Sequence, residues 1–416
     1  MKNTAKFLAI ILIILCSFKA YSQKIDLLIL NSQYDLALQE IAIQISNEPT
    51  GDLHLKQGII YSKLNDYEKA FESFRNALDY TPNNPIVLTE LGETLSLLGN
   101  YSQASSFFQQ AILASANDMV LKGKLGRVYI NQKEYVKAFE TFFEIYQADT
   151  TNVYWNKQFA FSAHKVNRLK LAISLYEKVI LNNPHDVGSY LNLATLYRQL
   201  NADSLALNTT LRGLEIYPEN PSLLLKLANQ YYGLREYEKA ISPYEQYLSK
   251  GDSIYSILKN YGICLYFTGH EQKSIQFLET CIYMAPDDPF VLFYLSLAHK
   301  KLTENVVAEA YMNTAIEAAT PYYLPEMYHH LGQILGQQQK YEESVAALKE
   351  AYKQDPTDFE ILFEIATTYE KFNNNITLAI NFYRMYLLEA KEEAKNATYA
   401  LNRMDKIKEM LFMGGE

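Results

Sequence analysis

The 416-residue chain carries 47 Asp and Glu against 38 Lys and Arg, a formal net charge of −9. So acidic a balance argues against wholesale binding to nucleic acid or to an anionic membrane surface. Low Gly (16) and Pro (12) argue against long disordered linkers, and a hydrophobic fraction of 49% leaves ample apolar surface to bury.

In chain order, the first segment stands apart. Lys2 and Lys6 precede an apolar run from Phe7 to Cys16, and Ala20 and Ser22 then form a small-x-small site. This is the charged, apolar, small-residue order of a secretory signal peptide over residues 1–22, with cleavage before Gln23. The apolar run is too short to span a bilayer, which needs about 20 residues. The expectation is an exported protein, periplasmic or envelope-associated after signal removal, with no integral membrane segment in the mature chain. Cleavage removes Lys2, Lys6 and Lys19 and no acid, so the net charge moves from −9 to −12.

From residue 51 onward one pattern returns every 34 residues. The first copy, residues 51–84, places small residues at Gly58, Ala70 and Ala77, aromatics at Tyr61, Tyr67 and Phe74, and proline at Pro82. The next copies carry Gly92, Ala104, Phe108 and Ala111, then Gly126, Ala138 and Phe142, then Ala160, Ala172 and Tyr176. The register continues through Ala194 and Ala206, Ala228 and Ala240, Gly262, and Ala308 and Ala315. Two extra residues near Tyr323 shift it to Gly332, Tyr341 and Ala351, and one more in the Asn373–Asn375 turn precedes Ala379 and Tyr383. Upstream, Tyr34, Ala37 and Pro49 mark a partial unit. Each unit holds two apolar-periodic segments of about 14 residues, a helix–turn–helix. Small residues at positions 8, 20 and 27 let helix axes approach, and proline at 32 ends the second helix. No unit buries its apolar face alone, so neighbours must stack. The domain plan is a signal peptide (1–22), a repeat array (23–390, partial over 23–50, then about ten units) and a capping helix with a short tail (391–416). In the cap, Ala397, Leu401, Met404, Ile407 and Leu411 are expected to form the inward face.

The pattern resembles the tetratricopeptide repeat (TPR) family over residues 24–388, although tryptophan at position 4 is absent throughout. The resemblance implies an all-α fold, a right-handed superhelical solenoid of helix–turn–helix repeats with a C-terminal capping helix. It also implies protein binding on the concave groove lined by the first helix of each unit.

Catalytic and metal motifs are missing. The seven histidines form no HExxH, and there is no CxxC, P-loop or GxSxG. Cys264 and Cys281 fall at offset positions on paired helices and read as small buried residues. The expectation is a non-enzymatic protein with no cofactor and no metal.

One asymmetry points to function. The first-helix segments of the six central units, 84 residues between 119 and 302, contain ten Lys or Arg and no Asp or Glu. At the chain's overall acid content, 47 in 416, about ten acids would stand there. The register positions that face ligand in the family hold Arg127, Lys157, His164, Lys165, Asn192, Arg198, Lys226, Asn229, Lys259, Tyr266, Lys300 and Lys301. A cationic cleft of this kind concentrates anionic ligands. The partner read from it is another envelope protein, through an extended acidic or C-terminal peptide segment. The alternative is an anionic glycan or cell-wall polymer on the same residues. Chaperone-binding members of the family hold a C-terminal carboxylate with Lys, Asn, Asn, Lys and Arg over three units. Lys157, Asn192 and Lys226 match three of those places, while Phe161 and Ser222 occupy the other two.

Overall fold

The structure is a computed structural model that describes residues 23–115, 118–251, 254–371, 376–390 and 394–413. The expected signal peptide, the Asn373–Asn375 turn and residues 391–393 lie outside these. The described residues form helices and turns, with no strand among them. The chain divides into two compact units at Arg212/Gly213.

In the first unit a helical segment over residues 23–30 (α1) and α2 (Tyr34–Asn47) precede the regular pairs. These are α3 (Gly51–Lys63) with α4 (Tyr67–Tyr80), α5 (Pro85–Leu97) with α6 (Tyr101–Ala114), and α7 (Met119–Asn131) with α8 (Tyr135–Ala148). Then come α9 (Val153–Lys165) with α10 (Leu169–Asn182), and α11 (Val187–Gln199) with α12 (Asp203–Ile216), within which the division falls. The second unit has α13 (Pro221–Gly233) with α14 (Tyr237–Leu248), α15 (Tyr255–Phe267) with α16 (Glu271–Met284), and α17 (Pro289–Lys301) with α18 (Asn305–Ala318). It ends with α19 (Leu324–Gln337), α20 (Tyr341–Gln354), α21 (Glu360–Lys371), α22 (Ile376–Glu389) and α23 (Ala397–Met413). First helices from α3 to α17 start at residues 51, 85, 119, 153, 187, 221, 255 and 289, a constant step of 34. The two extra residues before the next unit fall beside a three-residue 3-10 turn, Pro321–Tyr323.

The packing follows the spacing of small and large side chains. Ala70, Ala104, Ala138, Ala172 and Ala240 are fully buried, as are Phe74, Phe142, Tyr176 and Tyr244 at position 24. Glycine at position 8 makes room for that ring: a Cβ on Gly58 would lie 2.4 Å from Phe74, and one on Gly126 2.7 Å from Phe142.

Two turn devices make the repeat. Asp118, Asn152, Asp186, Asn220 and Asp288 cap the next first helix by accepting hydrogen bonds from its first backbone N–H groups. At position 15 the backbone enters the left-handed region in every pair from Asn65 to Gln339, with Lys133, Arg235 and Thr303 among the residues that do so. The next N–H then reaches back, as Asp66 N does to Tyr61 O at 2.9 Å, closing a Schellman-type stop. Non-glycine residues tolerate that φ because the bond and the packed helix on either side hold it.

At the C-terminal end, residues 394–396 turn before α23, where the Asn396 amide donates to Glu360 Oε2 at 2.8 Å. Ala400 and Ile407 are buried against Leu362, Ala366 and Tyr386. Leu401, expected inward, is 49% exposed. The seam runs through Ala397, Ala400, Met404 and Ile407, and a neighbour of Ala400 sits about 100° round the helix from it. Cys264 and Cys281 are buried free thiols, and burial pushes Cys281 up to about 11.

Candidate functional site

The first helices place the expected residues in two sets, one per unit. In the first unit α7, α9 and α11 carry no acid of their own. Their cations sort by position along the helix. Those in the N-terminal halves are tied down: Lys122 to Glu144 at 2.8 Å, Lys124 to Glu93, and Lys157 to Asp186 at 2.6 Å. Asp186 is the N-cap of α11 and also accepts from the Ser189 N–H at 2.9 Å and from its hydroxyl. Burial pushes this carboxyl up, but the Lys157 and Ser189 bonds outweigh burial and hold it below the ordinary range. Cations in the C-terminal halves stay open. Arg127, Lys165 and Arg198 are exposed, and none makes an ion pair among the described residues. The Lys165 ammonium lies 5.3 Å from the Phe161 ring centre and 5.8 Å from that of Tyr135. His164 Nε2 is 3.1 Å from Gln199 Oε1, and burial lowers its pKa. The Asn192 amide donates to Gly188 O at 2.9 Å.

The second unit repeats the tether. Lys259 donates to Asp288 Oδ2 at 2.9 Å, and the Tyr255 hydroxyl donates to the same carboxylate at 2.5 Å. Lys226 is half-buried. Asn229 Oδ1 accepts from the Tyr244 hydroxyl at 2.7 Å. Lys301 stands 4.1 Å over the Tyr266 ring, donates to Tyr266 O at 2.8 Å and pairs with Glu271 at 3.2 Å. Tyr266, Phe267 and Tyr294 form a ring cluster with centroids 5.1–5.7 Å apart. Lys300 is drawn into a polar cluster across three first helices. It donates to Gln333 Oε1 at 2.7 Å, and Gln333 donates to Glu364 at 3.0 Å. His329 Nε2 lies 3.0 Å from Glu364 Oε1, and that contact raises its pKa. Burial pushes the adjacent His330 down to about 4 and lowers the pKa of Lys300.

Sequence reasoning missed three features. The acid-free windows stop one residue short of Asp118, Asp186 and Asp288, the caps that pair with or flank the groove cations. Phe161, already at a clamp position, and Gln158, beside Lys157, line a cavity whose existence residue order does not show. The buried Tyr176 hydroxyl has no hydrogen-bond partner among the described residues. No group of three or more His, Cys, Asp or Glu among the described residues is placed to hold a metal ion, and no described helix is long and apolar enough to cross a membrane.

Repeated helix pairs joined through small-residue contacts define a helical-repeat protein. Models of the tetratricopeptide repeat match residues 62–121 and 325–358, so the chain carries tetratricopeptide repeats in both units. Among known proteins it is similar to the BBSome complex member BBS4 of Bos taurus, 22% identical over 302 residues, 72% of this chain and 57% of that protein. It is also similar to the protein O-mannosyl-transferase TMTC3 of Homo sapiens, 26% identical over 192 residues, 42% of this chain and 21% of that one. The chain spans about half the length of the BBS4 relatives it matches, 57% in Bos taurus and 53% in Drosophila melanogaster. Of solved structures, yeast Tom70 aligns with a TM-score of 0.37 at 15% identity, over 94% of this chain and 96% of that one.

Proposed function

We propose that the chain is an exported, non-enzymatic docking scaffold of the cell envelope, which holds an extended acidic or C-terminal peptide segment of another envelope protein on its first-helix faces. The observation that carries the docking reading is the row Arg127, Lys165 and Arg198. These are exposed cations, without an ion pair among the described residues, on three successive first helices that hold no acid. Lys157 and Lys259, already neutralised by helix caps, belong to the scaffold rather than to the docking charge. An anionic glycan is the second reading, favoured by the ring cluster of Tyr266, Phe267 and Tyr294 beside Lys301.

The test is a triple reversal, Arg127→Glu, Lys165→Glu and Arg198→Glu. Its control is Lys137→Glu, Lys170→Glu and Arg212→Glu, on exposed positions of second helices. The fold should survive both, since open surface changes usually stay within about 0.5 kcal/mol each. Binding of a labelled acidic peptide should fall at least tenfold in the first variant only. The difference should shrink near 0.5 M salt, where screening reaches a few ångströms. Equal binding by both variants overturns the peptide reading. Retention on a purified acidic polysaccharide with no peptide binding favours the glycan.

Export rests on the residue order from Lys2 to Ser22. Mass spectrometry of the envelope-extracted protein should find Gln23, cyclised, at the N-terminus. An intact Met1 on protein confined to the cytoplasm refutes export.

A further inference from the structure

Two cavities open beside α7, and their chemistry differs. The first, about 270 Å³, lies between α5, α6 and α7 and is lined by Glu93, Leu97, Phe108, Lys124, Arg127 and Asn131. Lys124 and Glu93 cancel each other as an ion pair. Glu90, nearby, is pushed toward its neutral form by burial and by the charge of Glu93. Arg127 is left as the open charge, and the Asn131 side chain makes no hydrogen bond among the described residues. A guanidinium fork with an amide beside it and an apolar floor suits a carboxylate carried on a short stem.

The second cavity, about 220 Å³, lies between α7, α9, α10 and α11 and is lined by Ile130, Lys157, Gln158, Phe161, Tyr176 and Asn192. Its one charged group, Lys157, is bound to Asp186 at 2.6 Å, so the cavity offers no free charge. Its polar groups are nevertheless under-used. The Gln158 amide makes no hydrogen bond among the described residues, and Asn192 spends only its Nδ2, on Gly188 O. Tyr176 is fully buried, and its hydroxyl has no partner among the described residues, a state that ordinarily calls for one. A carboxylate entering here would be desolvated without a counter-charge. An uncharged carboxamide supplies both a donor for Asn192 Oδ1 and an acceptor for Gln158, and its stem packs on Ile130 and Phe161. The volume, several waters at about 30 Å³ each, holds one such side chain.

We infer that the first unit reads a docked segment at two points: an Asp or Glu side chain in the α5–α7 cavity, and an Asn or Gln side chain in the α7–α9–α11 cavity. This rests on the docking reading above and adds its specificity. The cavities lie on either side of α7. Arg127 stands on α7, whereas Gln158 and Asn192 stand on α9 and α11, one to two first-helix steps away. At about 8–10 Å per step and about 3.3 Å per residue of extended chain, the two side chains should be about three to six residues apart.

The test is selection of a random 12-residue peptide display library on the purified full chain, followed by affinity measurement of the enriched peptides. The expected consensus pairs an acid with an amide at that spacing. Changing Gln to Glu, or Glu to Gln, within a selected peptide should weaken binding at least tenfold. Arg127→Gln should lose the preference for the acid and keep that for the amide. The double variant Gln158→Leu with Asn192→Leu should do the reverse. Thermal melts confirm that both variants are folded. A consensus that is only acidic, or an amide preference unchanged in the double variant, overturns the two-point inference and leaves docking intact. No enrichment at all removes the docking reading together with it.

Discussion

Phe142→Ala should destabilise the first unit by about 3–5 kcal/mol, the usual cost of deleting a buried phenyl ring. Phe142 is fully buried at position 24 of its repeat. It fills the space above Gly126, where an added Cβ would come within 2.7 Å of it, and stands 6.1 Å from the Trp155 ring. Gly126 has no side chain to move into the hole, so most of the cavity should persist. Because each repeat contacts only its neighbours, the loss should be felt first between α7 and α10. Trp155 is the single tryptophan of the chain and reports on that region. Its fluorescence transition in urea should move to lower denaturant than the circular-dichroism transition, and amides of 119–165 should exchange faster while those beyond 290 do not. A uniform shift of both signals, or a loss below about 1 kcal/mol, would contradict a chain of nearest-neighbour contacts.

Asp288→Ala carries the other large effect, because one carboxylate serves two structural roles. Oδ1 caps α17 by accepting from the Phe290 and Val291 N–H groups at 2.9 and 3.2 Å, while Oδ2 accepts from Tyr255 and Lys259. Losing the cap costs about 1 kcal/mol. Leaving a mostly buried ammonium without its partner costs more, so the total should be about 2–4 kcal/mol. Asp288→Asn keeps the cap and should fall between. The pH dependence separates the roles. Burial pushes the Asp288 carboxyl up, but hydrogen bonds from Tyr255, Lys259 and the Val291 N–H outweigh it and hold the group below its ordinary value. A depressed carboxyl stabilises above its unfolded pKa, about 3.9, and the benefit is lost as pH falls through the folded pKa. The gap between wild type and Asp288→Ala should therefore be full from pH 5 to 8 and narrow below pH 4. A deficit equally large at pH 3 and pH 7 in chemical denaturation would show that the ion pair contributes nothing.

That carboxylate also shows where sequence reading went astray at the candidate site. Counting charge within helices found first helices rich in Lys and Arg and free of acid. The acids that neutralise Lys157 and Lys259 stand at position 34, outside the helix and 29 residues further along the chain. Helix capping favours an Asp or Asn there, and stacking then brings it beside the lysine of the preceding first helix. A count along the chain registers the lysine and misses the pairing. The C-terminal halves of the same helices have no cap residue beside them, and there Arg127, Lys165 and Arg198 remain open.

The helical repeat itself was legible from residue order alone. Gly, Ala and aromatic residues at fixed positions of a 34-residue period dictate two amphipathic helices per unit, since only small residues allow close helix contacts and only stacking buries the remaining face. The starts of eight successive first helices follow that period without drift. The left-handed turn at position 15 left no comparable signal, because Asn, Gly, Lys, Arg, Thr and Gln all occupy it. There the conformation is imposed by the hydrogen bond closing the helix end and by the packed pair, not by residue type. The inner face of α23 was settled the same way, with Ala400 inward and Leu401 outward, since the partner surface on α21 and α22 chooses among nearly equivalent stripes. Which cations are open, and which cavities beside α7 carry unpaired polar groups, depended on tertiary structure alone, because ion pairing and burial are properties of neighbours brought together from one repeat to the next.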